Sequence, residues 1–314
     1  MVTPIQPNQE VEKYGNEWFA SQYDRCFVDT KIPVEKPETI ISIGKHQYKG
    51  DWHDTPVMTA GEFSVISAPS KSKKSFFKSQ LCASYIGGNA NIFFRNIKGH
   101  RKEDEIIIDC DTEQSKYYAH RTFSRVDKIV GAPYSGYLPF KMRHLNPEER
   151  VAFIDKIIDR HKGKVKLVFI DGIADLIEDT NDLIMSNYIA GKLLKWTDTY
   201  GIHICTIIHN AYGVKKPTGH LGSAVVKKAE TLFQLIPSET TDVIEVNHQY
   251  SRGFPFETFY FRVNNNNALI YECDVNGNFI DTPFSKNEIQ AEKHENKTLP
   301  TADTNQAFDG GVPF

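Results

Sequence analysis

Three short, almost unbroken apolar runs constrain this chain more than any other feature: EIIIDCD at 105–111, KVKLVFID at 164–171 and HICTIIH at 203–209. A continuous apolar run of this length is a strand buried on both faces, and such strands belong to parallel sheets covered by helices. The segments between them read as helices. Residues 114–125 carry several aromatics, and Asn146 with Pro147, Glu148 and Glu149 behind it is a well-formed helix start that should run to about His161. Asp182 opens another helix to about Thr199. Upstream, GEFSVISAP at 61–69 is a further strand, followed by a Ser/Lys loop and by FFKSQLCASYIGG, where Phe77, Leu81 and Tyr85 recur at helical spacing. The pattern is an alternating β/α series, and the expected fold class is α/β with a mainly parallel sheet flanked by helices.

After Glu230 the texture becomes β-rich, with TLFQLI, DVIEVNH, ETFYFRV and ALIYEC as successive strands and turns at 238–241 and 264–267. The expected organisation is an N-terminal arm at 1–38, a main domain at 39–284 that opens on a strand-like run from Thr39 to Ile43, and a flexible tail at 285–314. With 37 Lys plus Arg against 40 Asp plus Glu, the net charge of −3 excludes a histone-like polycation, so any nucleic-acid contact must be local. No apolar run approaches the ~20 residues that cross a bilayer, and the expectation is a cytoplasmic protein without membrane partners. Cys26, Cys82, Cys110, Cys205 and Cys273 form no CxxC pair and read as reduced core residues rather than disulfides or zinc ligands.

The strand, loop, helix unit is where a phosphate-binding loop would sit, because backbone amides and a helix N-terminus converge on an anion there. The loop reads Ala68-Pro69-Ser70-Lys71-Ser72-Lys73-Lys74-Ser75, followed by Phe76. Against GxxxxGK[ST] it keeps Lys74 and Ser75 and replaces both glycines, by Ala68 and Lys73. On its own it reads equally well as a basic, solvated helix start. Two further elements follow in order along the chain: Glu113, just past the strand 105–111, where a carboxylate can orient an attacking water, and Asp171, an acid ending a buried strand and suited to hold Mg²⁺ through water.

With these three elements in order, the chain resembles RecA-like P-loop ATPases, closest in layout to the small plasmid- and phage-encoded hexameric helicases of the RepA type, over roughly residues 39 to 273. The resemblance implies ATP and Mg²⁺ as cofactors. It implies that Lys74 contacts the β/γ-phosphates, Ser75 and Asp171 hold the magnesium, and Glu113 polarises the hydrolytic water. The stretch from Ile207 to Leu235 is similar to the segment where these ATPases place a polar sensor, here His209 with Asn210, before a mobile loop. That loop carries Lys215 and Lys216, suited to a phosphodiester backbone, though it reads as readily as a solvated surface loop. HQYSRGFPFETFYF at 248–261 looks like the hairpin that offers an arginine finger to a neighbouring subunit. Arg252 is the implied finger, and a surface salt bridge is its plain alternative. The family often has a Lys two residues earlier, where this chain has Tyr250, so the second cation is missing or comes from His248.

The last residues, ending Asp309-Gly310-Gly311-Val312-Pro313-Phe314, are similar to the C-terminal tip of bacterial single-stranded-DNA-binding proteins, which docks on replication and repair enzymes. Taken together, the expectation is an ATP-hydrolysing, DNA-handling motor: a homo-oligomeric ring, hexameric by resemblance, acting on single-stranded DNA, with Asp309, Pro313 and Phe314 recruiting a replication or repair enzyme. The alternatives are a recombinase or loader ATPase of the same fold, and a non-hydrolysing DNA-binding adaptor whose phosphate loop has decayed.

Overall fold

A computed structural model of the chain describes residues 14–92, 94–210, 217–264 and 269–280. By its contacts the chain divides into two units, Met1–Lys36 and Pro37–Phe314. The first contains helix α1 (Asn16–Cys26), which buries none of its residues and carries Trp18, Phe19 and Tyr23 exposed.

The second unit is built around β3 (Phe63–Ala68), every residue of which is buried. It pairs in parallel with β8 (His203–His209) on one side and β9 (Thr231–Pro237) on the other. Beyond β8 lie β7 (Val165–Asp171), β5 (Ile106–Asp111) and β6 (Tyr137–Lys141), all parallel. Beyond β9, the strands β10 (Ile244–Ser251), β11 (Phe259–Val263) and β12 (Ile270–Cys273) continue antiparallel, giving a nine-stranded sheet ordered β12-β11-β10-β9-β3-β8-β7-β5-β6. A second, three-stranded sheet, β2-β1-β4, comprises β1 (Thr39–Tyr48), β2 (Asp51–Thr59) and β4 (Ile97–Gly99). This is the expected α/β architecture, a mainly parallel sheet flanked by helices, with a β-rich antiparallel extension at its C-terminal end.

Alternation along the strands divides the core in two. Ile66 and Ala68 of β3, with Leu167 and Phe169 of β7, pack with α2 (Lys74–Ile86) and α3 (Lys116–Val130). Phe63, Val65, Val168 and Ile170 face the other way, onto α4 (Pro147–Arg160), α5 (Leu183–Tyr200) and α6 (Gly219–Val226). Period-two strands that are apolar on both faces require helices on both sides, and burying each such side chain contributes about 1.5–3 kcal/mol.

The helix starts follow local chemistry. Asn146 accepts from Glu149 N–H at 2.9 Å while Glu149 reaches back to Asn146 N–H at 2.9 Å, a reciprocal cap behind Pro147. Asp182 caps α5 through the N–H groups of Ile184 and Met185. Helix α3 begins two residues later than the sequence suggested and runs on to Val130, ended by Gly131 in the left-handed conformation. Four of the five cysteines are buried thiols as expected; Cys26, on α1, is exposed instead. Among the described residues no helix is long and apolar enough to cross a membrane.

Candidate nucleotide site

The C-terminal edge of the parallel strands gathers most of the chemistry. At the end of β3 the chain turns through 69–73 into α2, and Lys71 and Lys73 both adopt the left-handed conformation at φ 63°. Lys73 is the N-cap of α2 and stands where the motif has its second glycine. The loop therefore takes up a backbone that glycine would allow freely, at a strain of about 1 kcal/mol per residue. Ser72 Oγ donates to Pro69 O at 2.5 Å and braces the turn.

Lys74 Nζ donates to Pro69 O at 2.9 Å and lies 3.0 Å from His209 Nδ1. Burial lowers the Lys74 pKa, opposed by Asp171 and Glu113. An ammonium only donates, so Nδ1 of His209 is the acceptor and the ring proton sits on Nε2, which faces Glu113 Oε1 at 3.5 Å. That contact with His209 is the main reason the Glu113 pKa is lowered, with Lys74 adding to it against burial. Glu113 is therefore ionised at neutral pH, as a water-orienting base must be. On the floor of the cleft, Ser75 Oγ donates to Asp171 Oδ2 at 3.3 Å.

Glu113 is aimed by its own strand end. Asp111 Oδ1 accepts from the N–H groups of Glu113 at 3.1 Å and Gln114 at 2.7 Å, an Asx turn that swings the chain off β5. Thr112 N–H donates to Asp171 O at 3.0 Å and ties this turn to the end of β7. The next residue, Gly172, has φ 103°, and a Cβ there would meet Thr112 Oγ1 at 2.4 Å and Asp175 Oδ2 at 2.7 Å. Only glycine fits so close to Thr112 and Asp175 beside Glu113.

Lys71, Ser72, Lys73, Lys74, Ser75, Phe76, Glu113, Gln114, Arg125, Asp171 and His209 thus surround one cleft of about 510 Å³, within the usual size range of small-ligand sites. A larger groove of about 790 Å³ lies between α4 and α5, but its rim carries five carboxylates, Glu148, Asp155, Glu178, Asp179 and Asp182, and repels a polyphosphate. The smaller cleft suits one: three lysines, a helix N-terminus with orphan N–H groups, and the hard oxygens of Ser75 and Asp171, a donor set that fits Mg²⁺ shared with substrate phosphates.

Of the residues singled out from the sequence, the structure brings together the loop 68–76, Lys74, Ser75, Glu113, Asp171 and His209. Asn210 is turned away, its Oδ1 accepting from Ser67 Oγ. Arg252 lies at the opposite edge of the sheet: it follows Ser251, which pairs with Thr231 at the start of β9. Its Nη1 pairs with Glu62 Oε1 at 2.7 Å and its Nη2 donates to Lys228 O at 2.9 Å. Lys215, Lys216, Asp309, Pro313 and Phe314 lie outside the described residues.

Sequence reasoning missed a group of buried residues behind the cleft. Lys78, fully buried, places Nζ 2.8 Å from Asp109 Oδ1 and 3.2 Å from Asp171 Oδ2. Tyr137 OH donates to the other Asp109 oxygen at 2.8 Å. The surrounding acids outweigh burial and raise the Lys78 pKa, so its charge is permanent. Arg125 stacks its guanidinium 3.7 Å from the Phe76 ring centre and donates to Ser75 O and Ser79 Oγ, with burial lowering its pKa to about 10. The signal for Lys78 was its spacing: at i+4 from Lys74 it lies on the same face of α2.

No family model matches the chain, and no curated protein matches it. Among solved structures it is similar to an ATPase domain, at 14% identity over 68% of this chain and 85% of that one, with a TM-score of 0.49. A likeness this distant assigns no activity and no residue to the present chain.

Proposed function

We propose that this chain is an ATP-hydrolysing motor of the RecA-like, RepA-type kind that binds Mg-ATP in the cleft at 68–76 and acts on single-stranded DNA as a ring. The observation that carries the reading is the convergence of Lys74, Ser75, Asp171, Glu113 and His209, drawn from three neighbouring strands and one helix, on a single basic cleft.

In this reading the loop amides and Lys74 bind the triphosphate, Lys73 adds charge where the second glycine of the motif would only make room, and Lys71 adds more within the loop. Ser75 and Asp171 hold the magnesium, which when bound neutralises charge on the phosphate oxygens. Glu113 orients the attacking water and takes its proton. His209 stands between Glu113 and Lys74, so a change at the γ-phosphate is felt at the end of β8 and in the segment that follows, where Lys215 and Lys216 contact DNA. Arg252 reaches the nucleotide of a neighbouring subunit, and its exchange from Glu62 to that phosphate couples assembly to hydrolysis. Pro313 and Phe314, with Asp309, recruit a replication or repair enzyme.

The test is turnover of ATP with and without single-stranded DNA. Glu113→Gln should lower turnover about a hundredfold or more while nucleotide uptake persists; unchanged turnover overturns the role of Glu113. Chains carrying Lys74→Ala and Arg252→Ala, each inactive alone, should regain part of their turnover when mixed, because each supplies what the other lacks. A strand-displacement assay distinguishes a helicase from a recombinase or loader of the same fold.

A further inference from the structure

The magnesium-binding acid of this cleft already has a cation of its own. Lys78 Nζ lies 3.2 Å from Asp171 Oδ2, the same oxygen that Ser75 Oγ approaches at 3.3 Å. Lys78 is wholly enclosed, its ammonium facing the Phe123 ring at 5.6 Å, so bulk solvent does not screen it. Asp109 holds it from the other side at 2.8 Å and is itself held by Tyr137. The ammonium therefore bridges two carboxylates, one sealed in the core and one facing the cleft.

We propose that Lys78 is a positioning residue that shares Asp171 with the magnesium ion, and that the Lys78–Asp109 pair sets how strongly the cleft depends on magnesium. The proposal rests on the nucleotide reading above. Its physics is a competition between charges. Any cation seated between Ser75 and Asp171 lies within a few ångströms of the ammonium, where like charges repel strongly in a poorly screened interior. Lys78 also fixes the Asp171 carboxylate before the ion arrives, so binding loses less side-chain freedom. The net effect is a seat that is preformed and weakly demanding of the metal. Asp109 moderates it, because the more the ammonium is drawn to Asp109, the more negative charge Asp171 keeps for the ion.

This gives two substitutions of opposite sign. In Lys78→Met/Asp109→Asn the buried pair is removed as a unit, leaving no uncompensated charge in the core, and the introduced amide oxygen still accepts from Tyr137. Asp171 is then free for the ion, and the magnesium concentration giving half-maximal uptake of a non-hydrolysable ATP analogue should fall by about tenfold. In Asp109→Asn alone the ammonium has only Asp171 as its partner, and the same midpoint should rise by a comparable factor. The measurement is calorimetry on the full chain across a magnesium series, with circular dichroism confirming that each variant is folded. The opposite signs of the two variants carry the test, because a residue that served only to support the fold would weaken uptake in both. Midpoints that stay put, or that move in the same direction in the two variants, overturn the proposal. Uptake by the unaltered chain with unmoved midpoints in the variants removes this inference and leaves the nucleotide reading standing, whereas no uptake by the unaltered chain removes both.

Discussion

The two edges of the central sheet both hold buried ionisable groups, and they treat them in opposite ways. At the N-terminal edge, His203 is fully buried, with Nδ1 2.8 Å from Thr59 O and Nε2 2.9 Å from Ser64 Oγ, while Glu230 accepts from Thr59 Oγ1 at 2.7 Å and Thr59 N–H at 3.0 Å. Those polar atoms have partners inside the chain, and the cluster stitches the starts of β3, β8 and β9 together. At the C-terminal edge, Lys71 and Lys73 are left-handed, Asp111 Oδ2 is buried with no partner among the described residues, and Lys74, Glu113 and Asp171 converge on an open cleft. At this edge, strained backbone and converging charges face an opening that a ligand can fill. The hydrogen-bonded cluster around His203 holds the sheet together, while the charges of the other edge converge on the cleft.

Substitutions that cross this divide test it. The largest effect should come from Lys74→Ala, which should weaken nucleotide uptake by about a thousandfold by removing a charged hydrogen-bond partner of the phosphates, as read by calorimetry, with little change in the urea midpoint. His203→Ala should do the reverse, costing about 2–3 kcal/mol of stability in urea unfolding by removing a buried ring and its hydrogen bonds to Ser64 Oγ and Thr59 O, and leaving uptake as it was. If either substitution moves both quantities equally, the edges are not separate in function.

The pH dependence sharpens the contrast, because His203 and Asp111 pull in opposite directions. Burial takes His203 from 6.5 down to about 4, so the unfolded chain binds the extra proton between those values and the fold loses stability as pH falls from 6.5 to 4. Burial pushes Asp111 from 3.8 up to about 6, so the folded chain binds the extra proton and gains stability as pH falls from 6 to 3.8. Each contribution is at most about 3 kcal/mol, and over the shared window they largely cancel. Asp111→Asn should expose the loss due to His203 as a steeper fall in stability below pH 6.5, and His203→Gln should invert the slope. A stability profile that neither substitution changes would show that these groups are not buried as described.

The smallest effect should be Lys73→Gly. Glycine occupies the left-handed region without strain, and its extra freedom in the unfolded chain offsets part of the gain, leaving a stabilisation of about 0.5–1 kcal/mol in urea unfolding. A loss of stability would mean that contacts of the Lys73 side chain outweigh its backbone strain.

The strands that form the centre of the sheet were legible because burial on both faces leaves an apolar run; β3, β5, β7 and β8 are of this kind. The strands that escaped are edge strands. Tyr137–Lys141 contains Pro139 and, among the described residues, pairs only with β5, and Asp51–Thr59 contains Pro56 and lies at the outside of the three-stranded sheet. An edge can accommodate a proline and polar side chains that a central strand cannot, so its sequence does not look like a strand. Helix α1 escaped for another reason: its aromatics, with Phe19 and Tyr23 at i,i+4, are few among polar residues and none of them is buried. At the cleft, Lys74, Ser75, Glu113 and Asp171 were found by order and spacing along the chain. Lys78, Asp109 and Tyr137 were not: the i+4 spacing from Lys74 puts Lys78 on the same face of α2, but spacing alone does not say that the lysine is buried until the strands that carry its carboxylates are placed beside it.

The central claim is that a phosphate loop without its glycines still seats a triphosphate, with Lys73 in the left-handed conformation at the place of the second glycine and Lys71 left-handed beside it. Calorimetric titration of the full chain with a slowly hydrolysed ATP analogue and magnesium tests this most directly. The account predicts saturable uptake near one nucleotide per chain, abolished by Lys74→Ala; a folded chain that takes up none, with or without single-stranded DNA present, would contradict it.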